Sequence, residues 1–197
     1  DKTGTIDFTE TKAGSYSGIT TFNVVVSDLP KDLINTYDVG EVANTVFAKH
    51  YKNGDLEIYG SGTISGIGSS GVWQKVGINK KRVKNIKILN VINTPKNSSY
   101  LFNLFPLLET ADLNNLRTSN TTDMTSFISR NPKLKSVLMN NFDTSNVENF
   151  SYMLSGNTSL SSVNFSFDVG KGAMMIGMLS DSGIESFDFA YLKNWQN

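Results

Sequence analysis

The sequence predicts a repeat protein of the α/β class, a solenoid of short parallel strands that follows a β-rich N-terminal cap. One apolar motif recurs at near-constant spacing in the second part of the chain, and polar residues that favour turns follow it. The first eighty residues lack the motif and show strand and hairpin patterns instead. We therefore divide the chain into residues 1–80, a β-rich cap or small β domain, and residues 81–197, a solenoid of about four to five repeats of 24–26 residues.

The recurring motif is L-x-x-Φ-x-Φ, in which Φ is any apolar residue. Copies begin at Leu108, Leu134, Leu160 and Ile184, so the steps are 26, 26 and 24 residues, and a weaker copy begins at Val83. The last two apolar positions of each copy are two residues apart and face the same side of a strand. One such strand cannot bury its apolar face, whereas stacked copies form a continuous core, as in a leucine-rich-repeat solenoid.

The segments between the strands are predicted to turn and then to form a short helical or irregular stretch. Asn, Asp, Ser and Thr after each strand favour turns because their side chains bond to nearby backbone. Apolar and small residues then recur at steps of three and four over residues 121–128, which predicts one buried helical face. Equivalent side chains should stack in columns, of which two are Met124, Phe150 and Ile176, and Phe127, Met153 and Leu179.

The repeat carries a family resemblance in residues 142–154, which read F-D-T-S-N-V-E-N-F-S-Y-M-L. This stretch resembles the F-D-T-S-N-V-x-x-M-x-x-M-F signature of BspA-like leucine-rich-repeat surface proteins, with Phe150 and Leu154 in place of Met and Phe. A later copy keeps the M-x-x-M spacing through Met175 and Met178. The resemblance implies a secreted or wall-anchored protein of a Gram-positive bacterium, often an adhesin, and it implies no catalytic residues.

The first part of the chain is predicted to be mostly strand. Residues 21–27, TFNVVVS, have the composition of a buried strand. Residues 45–60 predict a hairpin, with Asn53-Gly54 supplying the positive φ that a type I′ turn needs. Trp73, Val76 and Ile78 are expected to cover the open end of the first repeat.

Composition argues against several function classes. Eighteen basic and eighteen acidic residues balance without a visible basic stripe, so we expect no nucleic-acid binding. No apolar run is long enough to span a membrane, and the absence of Cys removes thiol chemistry. His50, the single histidine, is expected at a surface strand position, so we predict neither a cofactor nor a metal site. The sequence does not exclude a pair of carboxylates that would hydrolyse glycosides.

The predicted binding surface is the sheet face opposite the buried motif positions. Its side chains alternate with the inward ones: Thr110, Asp112, Ser136, Leu138, Ser162 and Asn164, with Asn85 and Lys87 in the first copy. This ladder is either an ordinary solvated face or a surface that binds a partner. We predict a non-enzymatic binding module, an adhesin for a host or mucosal glycoprotein or an extracellular matrix protein. The alternatives are a structural spacer and, less favoured, a cell-wall glycosidase.

Overall fold

The computed structural model describes residues 32–66, 71–163, 166–170, 172–188, 190 and 192–194. All of these residues fall in one compact unit. The predicted strand at residues 21–27 and the predicted site residue Asn164 lie outside the described residues.

The described elements are mostly short strands. Helical structure consists of α1 (Gly71–Lys75) and a 3-10 turn (Lys80–Arg82). The strands are β1 (Leu33–Asp38), β2 (Val46–Tyr51), β3 (Asp55–Gly60), β4 (Asn85–Ile88), β5 (Ile92–Asn93), β6 (Thr110–Asp112), β7 (Leu116–Arg117), β8 (Ser136–Leu138), β9 (Phe167–Asp168) and β10 (Leu192–Lys193).

The main sheet has six strands in the order β1-β2-β3-β4-β6-β8. The first three strands are antiparallel, whereas β3, β4, β6 and β8 are parallel to one another. β4, β6 and β8 lie in the motif copies that begin at Val83, Leu108 and Leu134, so the predicted solenoid of parallel strands is confirmed. Leu160 is also fully buried, but no regular strand forms over residues 160–163.

The solenoid core is built from the motif positions, as the alternation within each strand requires. Ile86, Ala111 and Val137 pair across β4, β6 and β8, and all three are at most 5% exposed. Their neighbours along each strand face the other way and meet solvent. Two further parallel pairs, β5 with β7 and β9 with β10, link other parts of the coils.

Each coil is one repeat of the solenoid, and its far side consists of turns. The irregular alternative of the prediction is therefore right, and the helical one over residues 121–128 is wrong. Two positions per coil have left-handed backbone, where φ is positive, and such residues interrupt a right-handed helix. One series is Tyr100, Ser126, Tyr152 and Gly177, and the other is Leu104, Arg130, Gly156 and Asp181. Successive turns therefore produce the three- and four-residue apolar spacing that a helix would also produce.

The coil that contains Met178 is one residue shorter than the coil before it. Ile128 donates its backbone N–H to the carbonyl of Met153 at 3.1 Å, and the equivalent donor Leu154 reaches the carbonyl of Met178 at 2.9 Å. Met178 is 6% exposed, whereas Leu179 is only half-buried. Met178 thus continues the column of Met153, and the prediction of Leu179 in this place is wrong.

The column predicted to contain Met124, Phe150 and Ile176 also changes its last member, because this coil is one residue shorter. Asn149 and Met174 form a parallel bridge, so the next residue, Met175, is the register equivalent of Phe150. Ile176, which was predicted to occupy that place, is 62% exposed. The M-x-x-M spacing of the family resemblance therefore gives the right register here, and a constant step of 26 residues does not.

Buried polar side chains tie the coils together. Asn131 Oδ1 accepts a hydrogen bond from the backbone N–H of Phe105 at 2.8 Å, and Asn157 Oδ1 accepts one from the N–H of Asn131 at 3.0 Å. The hydroxyls of Thr94 and Thr121 lie 2.6 Å apart. The two asparagine contacts satisfy backbone N–H groups, and the threonine hydroxyls satisfy each other, since a buried polar group without a partner is costly.

The cap continues the main sheet through β1–β3. The predicted hairpin is confirmed, but its turn is not type I′, because only Gly54 of the Asn53-Gly54 pair has positive φ, at 97°. Three residues connect the strands, with glycine in the left-handed position of a bulged turn. Trp73 is fully buried and stacks on Phe102 at 5.7 Å, so it covers the first coil as predicted.

His50 is not at the surface, which contradicts the prediction. Strand β2 alternates buried and half-buried positions, and His50 shares its buried side with Val46 and Ala48. The imidazole is 2% exposed, and its Nε2 has no hydrogen-bond partner among the described residues. Burial, followed by the charge of Arg82, lowers the pKa of His50.

Candidate functional site

The exposed face of the main sheet presents two rows of side chains across four strands. One row pairs Asp55, Asn85, Thr110 and Ser136, and the second pairs Glu57, Lys87, Asp112 and Leu138. Thr110, Lys87 and Ser136 are exposed, and the others are partly exposed. We call these two rows the sheet face.

Four of the six predicted site residues come together on this face. Thr110 and Asp112 on β6 stand directly beside Ser136 and Leu138 on β8. Ser162 is exposed but does not belong to a regular strand, and Asn164 lies outside the described residues. The candidate surface is therefore centred nearer the cap than the sequence indicated.

Hydrogen bonds connect three of the four side chains of the first row, Asp55, Asn85 and Thr110. Asn53 and Asn85 each donate an amide N–H to the carboxylate of Asp55, at 3.0 and 2.9 Å. Thr110 Oγ1 donates to Asn85 Oδ1 at 2.8 Å. These bonds orient the side chains before any partner arrives, which lowers the ordering cost of binding.

Between the two rows lies a shallow depression of about 270 Å³. Its walls are the polar side chains of both rows, including Asp55, Glu57, Lys87 and Asp112. The floor is formed by the strands themselves, at Leu56 and Ile86. Carboxylates, an amide, a hydroxyl and an amine around one depression offer both donors and acceptors to a polar ligand.

The cap adds an aromatic end to the sheet face that sequence reasoning missed. Phe47 and Tyr59 stack with ring centroids 5.6 Å apart, and Lys49 Nζ lies 4.8 Å from the Tyr59 ring. Tyr51 donates its hydroxyl to Glu57 Oε2 at 3.0 Å. The signal was present in the predicted hairpin, because strand alternation places these side chains on one face.

Two kinds of feature are not found in the described part of the chain. No group of three or more His, Asp or Glu side chains there is arranged to hold a metal ion. Within the same residues, no helix has the length and apolarity that crossing a bilayer requires. The site is thus a shallow surface of polar groups with aromatic rings at one end.

Comparisons with known proteins find a similar solved structure and a matching family. The chain is similar to the crystal structure of a leucine-rich repeat protein from Eubacterium ventriosum ATCC 27560, with 16% sequence identity and a TM-score of 0.44. The match covers 77% of this chain but only 36% of that one, so the chain spans about a third of its length. No curated protein matches the sequence. The family described as "Mycoplasma protein of unknown function, DUF285" matches residues 96–197, just over half of the chain, and the chain belongs to this family.

Proposed function

We propose that this chain is a non-enzymatic binding module of a bacterial surface protein, secreted or anchored to the cell wall. The family and the repeat fold fit a binding or structural module. In our proposal the partner is a host or mucosal glycoprotein or an extracellular matrix protein, and the sheet face contacts it. The observation that carries this proposal is the pair of side-chain rows, aligned across β3, β4, β6 and β8.

The geometry of the sheet face suits an extended ligand rich in hydroxyl groups. Adjacent strands are about 4.8 Å apart, so each row offers a regular series of polar contacts. Asp55, Asn85 and Thr110 are held in place by mutual hydrogen bonds, so the row keeps a fixed arrangement. The partly exposed Tyr59 ring supplies an apolar surface for the carbon-bound hydrogens of a sugar.

The proposal is tested with a triple variant of the sheet face, Thr110→Ala, Asp112→Ala and Leu138→Ser. We expect its binding to immobilised mucin to fall by about tenfold or more, because three adjacent contacts on two strands are lost. The matched control changes three exposed residues away from the main sheet, Ser119→Ala, Asn120→Ala and Glu148→Ala. Surface plasmon resonance reports the affinities, and circular dichroism verifies both folds. Equal affinity of the two variants for mucin would contradict the sheet face as the binding surface.

A second function, that of a structural spacer, is favoured by the internal polar ladders. Asn131 and Asn157 are fully buried and link successive coils, which stiffens the solenoid along its length. A spacer holds another domain away from the cell wall and needs no ligand of its own. It predicts no saturable binding of the wild-type chain to mucin, fibronectin or collagen.

A further inference from the structure

Cations from separate segments meet on the edge of the solenoid where the parallel strands begin. Lys84 and Lys135 flank Glu109 here, since Glu109 donates its backbone N–H to the carbonyl of Lys84 at 2.7 Å and Lys135 donates to Glu109 at 2.9 Å. The other cations come from the 3-10 turn and from the segment before β8. We define the basic edge as Lys80, Lys81, Arg82, Lys84, Arg130, Lys133 and Lys135.

A depression of about 550 Å³ lies on this edge. Lys80, Lys81 and Arg130 surround it, and Ile78, Leu104 and Pro106 provide an apolar lining. Leu104 is 52% exposed, so this lining is accessible to a ligand. Two coils and the 3-10 turn therefore combine positive charge with an apolar floor in one place.

The side chain of Lys80 is held in place by packing and by a hydrogen bond. Its Nζ donates to the carbonyl of Asn103 at 2.9 Å and lies 5.1 Å from the centre of the Phe105 ring. Burial lowers the pKa of Lys80. The side chain is thus held in one orientation while Lys81 and Arg82 beside it are exposed.

Few carboxylates neutralise this edge. Glu109 pairs with Lys135 at 2.8 Å. The hydrogen bond from Lys135 and the charges of Lys135, Lys84 and Lys133 lower the pKa of Glu109, so several cations surround one acid. Within the described ranges, no other cation of the basic edge forms an ion pair with a carboxylate. The edge carries excess positive charge although the whole chain is neutral.

We propose that the basic edge binds a linear acidic polysaccharide, one whose sulfate or carboxylate groups recur along the chain. Cations from the first and third coils are separated by two strand spacings, roughly 10 Å, which presents charge repeatedly along the edge. The apolar depression beside them suits the ring faces of sugars. The aromatic residue of this edge, Phe105, is buried, so no ring there is free to stack on a nucleic-acid base. This surface is separate from the sheet face and extends the proposed function.

The experiment measures binding of the full chain to heparin, used as the sulfated probe, by isothermal titration calorimetry. The edge variant carries Lys81→Gln, Lys84→Gln and Lys133→Gln, which are exposed positions, and leaves the packed Lys80 intact. The matched control carries Lys96→Gln, Arg117→Gln and Lys193→Gln, which are exposed, remove the same charge and lie away from the edge. We expect the edge variant to lose about tenfold or more in affinity and the control to stay within about twofold, because the screened reach of a charge is about 10 Å.

Three results would overturn the proposal. Absence of heparin binding to the wild-type chain would show that the edge does not bind sulfated polysaccharides. Equal losses of affinity in both variants would show that binding depends on the net charge of the chain and not on the basic edge. Tighter binding to duplex DNA or to vesicles of anionic phospholipid than to heparin would assign the edge to those partners instead. The sheet-face triple variant should retain heparin binding, so failure of this proposal is distinguishable from failure of the sheet-face proposal.

Discussion

The imidazole of His50 lies inside the cap on the buried side of β2, and this position ties stability to pH. Burial and the charge of Arg82 lower its pKa in the folded chain below the ordinary value of about 6.5. The unfolded chain therefore binds a proton at a pH where the folded chain does not. Stability from the neutral imidazole is present above about pH 6.5 and is lost as the pH falls below that value.

We expect the free energy of unfolding to decrease between about pH 7.5 and pH 5.5, with the loss beginning near pH 6.5. His50→Leu keeps an apolar side chain in the core and should remove the part of this decrease that belongs to the imidazole. Urea denaturation of both proteins across the pH range measures the difference. An identical decrease in His50→Leu would show that carboxylates alone produce the effect.

Arg130 has φ of 55°, in the left-handed region, and the equivalent position in the next coil is Gly156 with φ of 72°. A residue with a Cβ atom loses about 1–2 kcal/mol in this conformation, whereas glycine loses about 0.5–1 kcal/mol in backbone entropy on folding. We expect Arg130→Gly to stabilise the fold by about 0.5–1 kcal/mol. Arg130→Ala removes the same side chain but keeps the Cβ atom, so it should bring no gain. Equal denaturation midpoints for the two variants would contradict the strain at this position.

At the level of the repeated element, stacking of large side chains holds one coil on the next. Phe127 is fully buried and meets the rings of Phe102 and Phe142 edge to face, with centroids 5.4 and 5.8 Å away. We expect Phe127→Ala to cost about 3–5 kcal/mol in the free energy of unfolding, because a buried ring leaves a cavity. Ile176→Ala, at a position 62% exposed, should cost less than about 0.5 kcal/mol. Guanidinium denaturation compares them, and a loss below about 1 kcal/mol for Phe127→Ala would show that the column is loosely packed.

The elements differ in how well the sequence predicts them. The buried positions of β4, β6 and β8 follow from alternation, because a strand with one face in the core leaves no other arrangement. The turns on the far side cannot be predicted in this way, since two left-handed residues per coil create the same apolar spacing as a helix. Tyr152 and Arg130 in these positions give no signal, because non-glycine residues rarely adopt positive φ.

The part of the candidate site that depends on strand alternation can be predicted from the sequence. The part that depends on packing between distant segments cannot. Thr110, Asp112, Ser136 and Leu138 share a face because their strands are in register. Alternation within the hairpin puts the aromatic rings on one face, but their place beside the repeats depends on the parallel pairing of β3 with β4, which joins the cap to the first repeat. The buried position of His50 follows from the alternation of β2, which places it on the same side as Val46 and Ala48.

For the whole molecule, a neutral total charge conceals an uneven distribution. The basic edge gathers cations, whereas the sheet face carries three acids, Asp55, Glu57 and Asp112, and one base, Lys87. The two surfaces should therefore respond differently to salt. This difference separates their functions in one measurement.

We expect mucin binding through the sheet face to change less than about threefold between about 50 and about 300 mM sodium chloride, since this face holds one cation, Lys87, and no excess of positive charge for salt to screen. Heparin binding through the basic edge should fall steeply over the same range. Both affinities can be followed by surface plasmon resonance on one protein preparation, with the sheet-face triple variant as the control for mucin. A steep loss of mucin binding would assign mucin to the basic edge.

The ladders between coils have a mechanical consequence. Hydrogen bonds such as those from Glu109 to Lys84 and from Lys135 to Glu109 point from one coil to the next, along the axis of the stack. Tension applied along this axis loads the bonds of one junction at a time, as in opening a zipper, rather than shearing all junctions together. Each coil of 26 residues that peels away releases roughly 90 Å of extended chain, so the solenoid should lengthen in discrete steps under load.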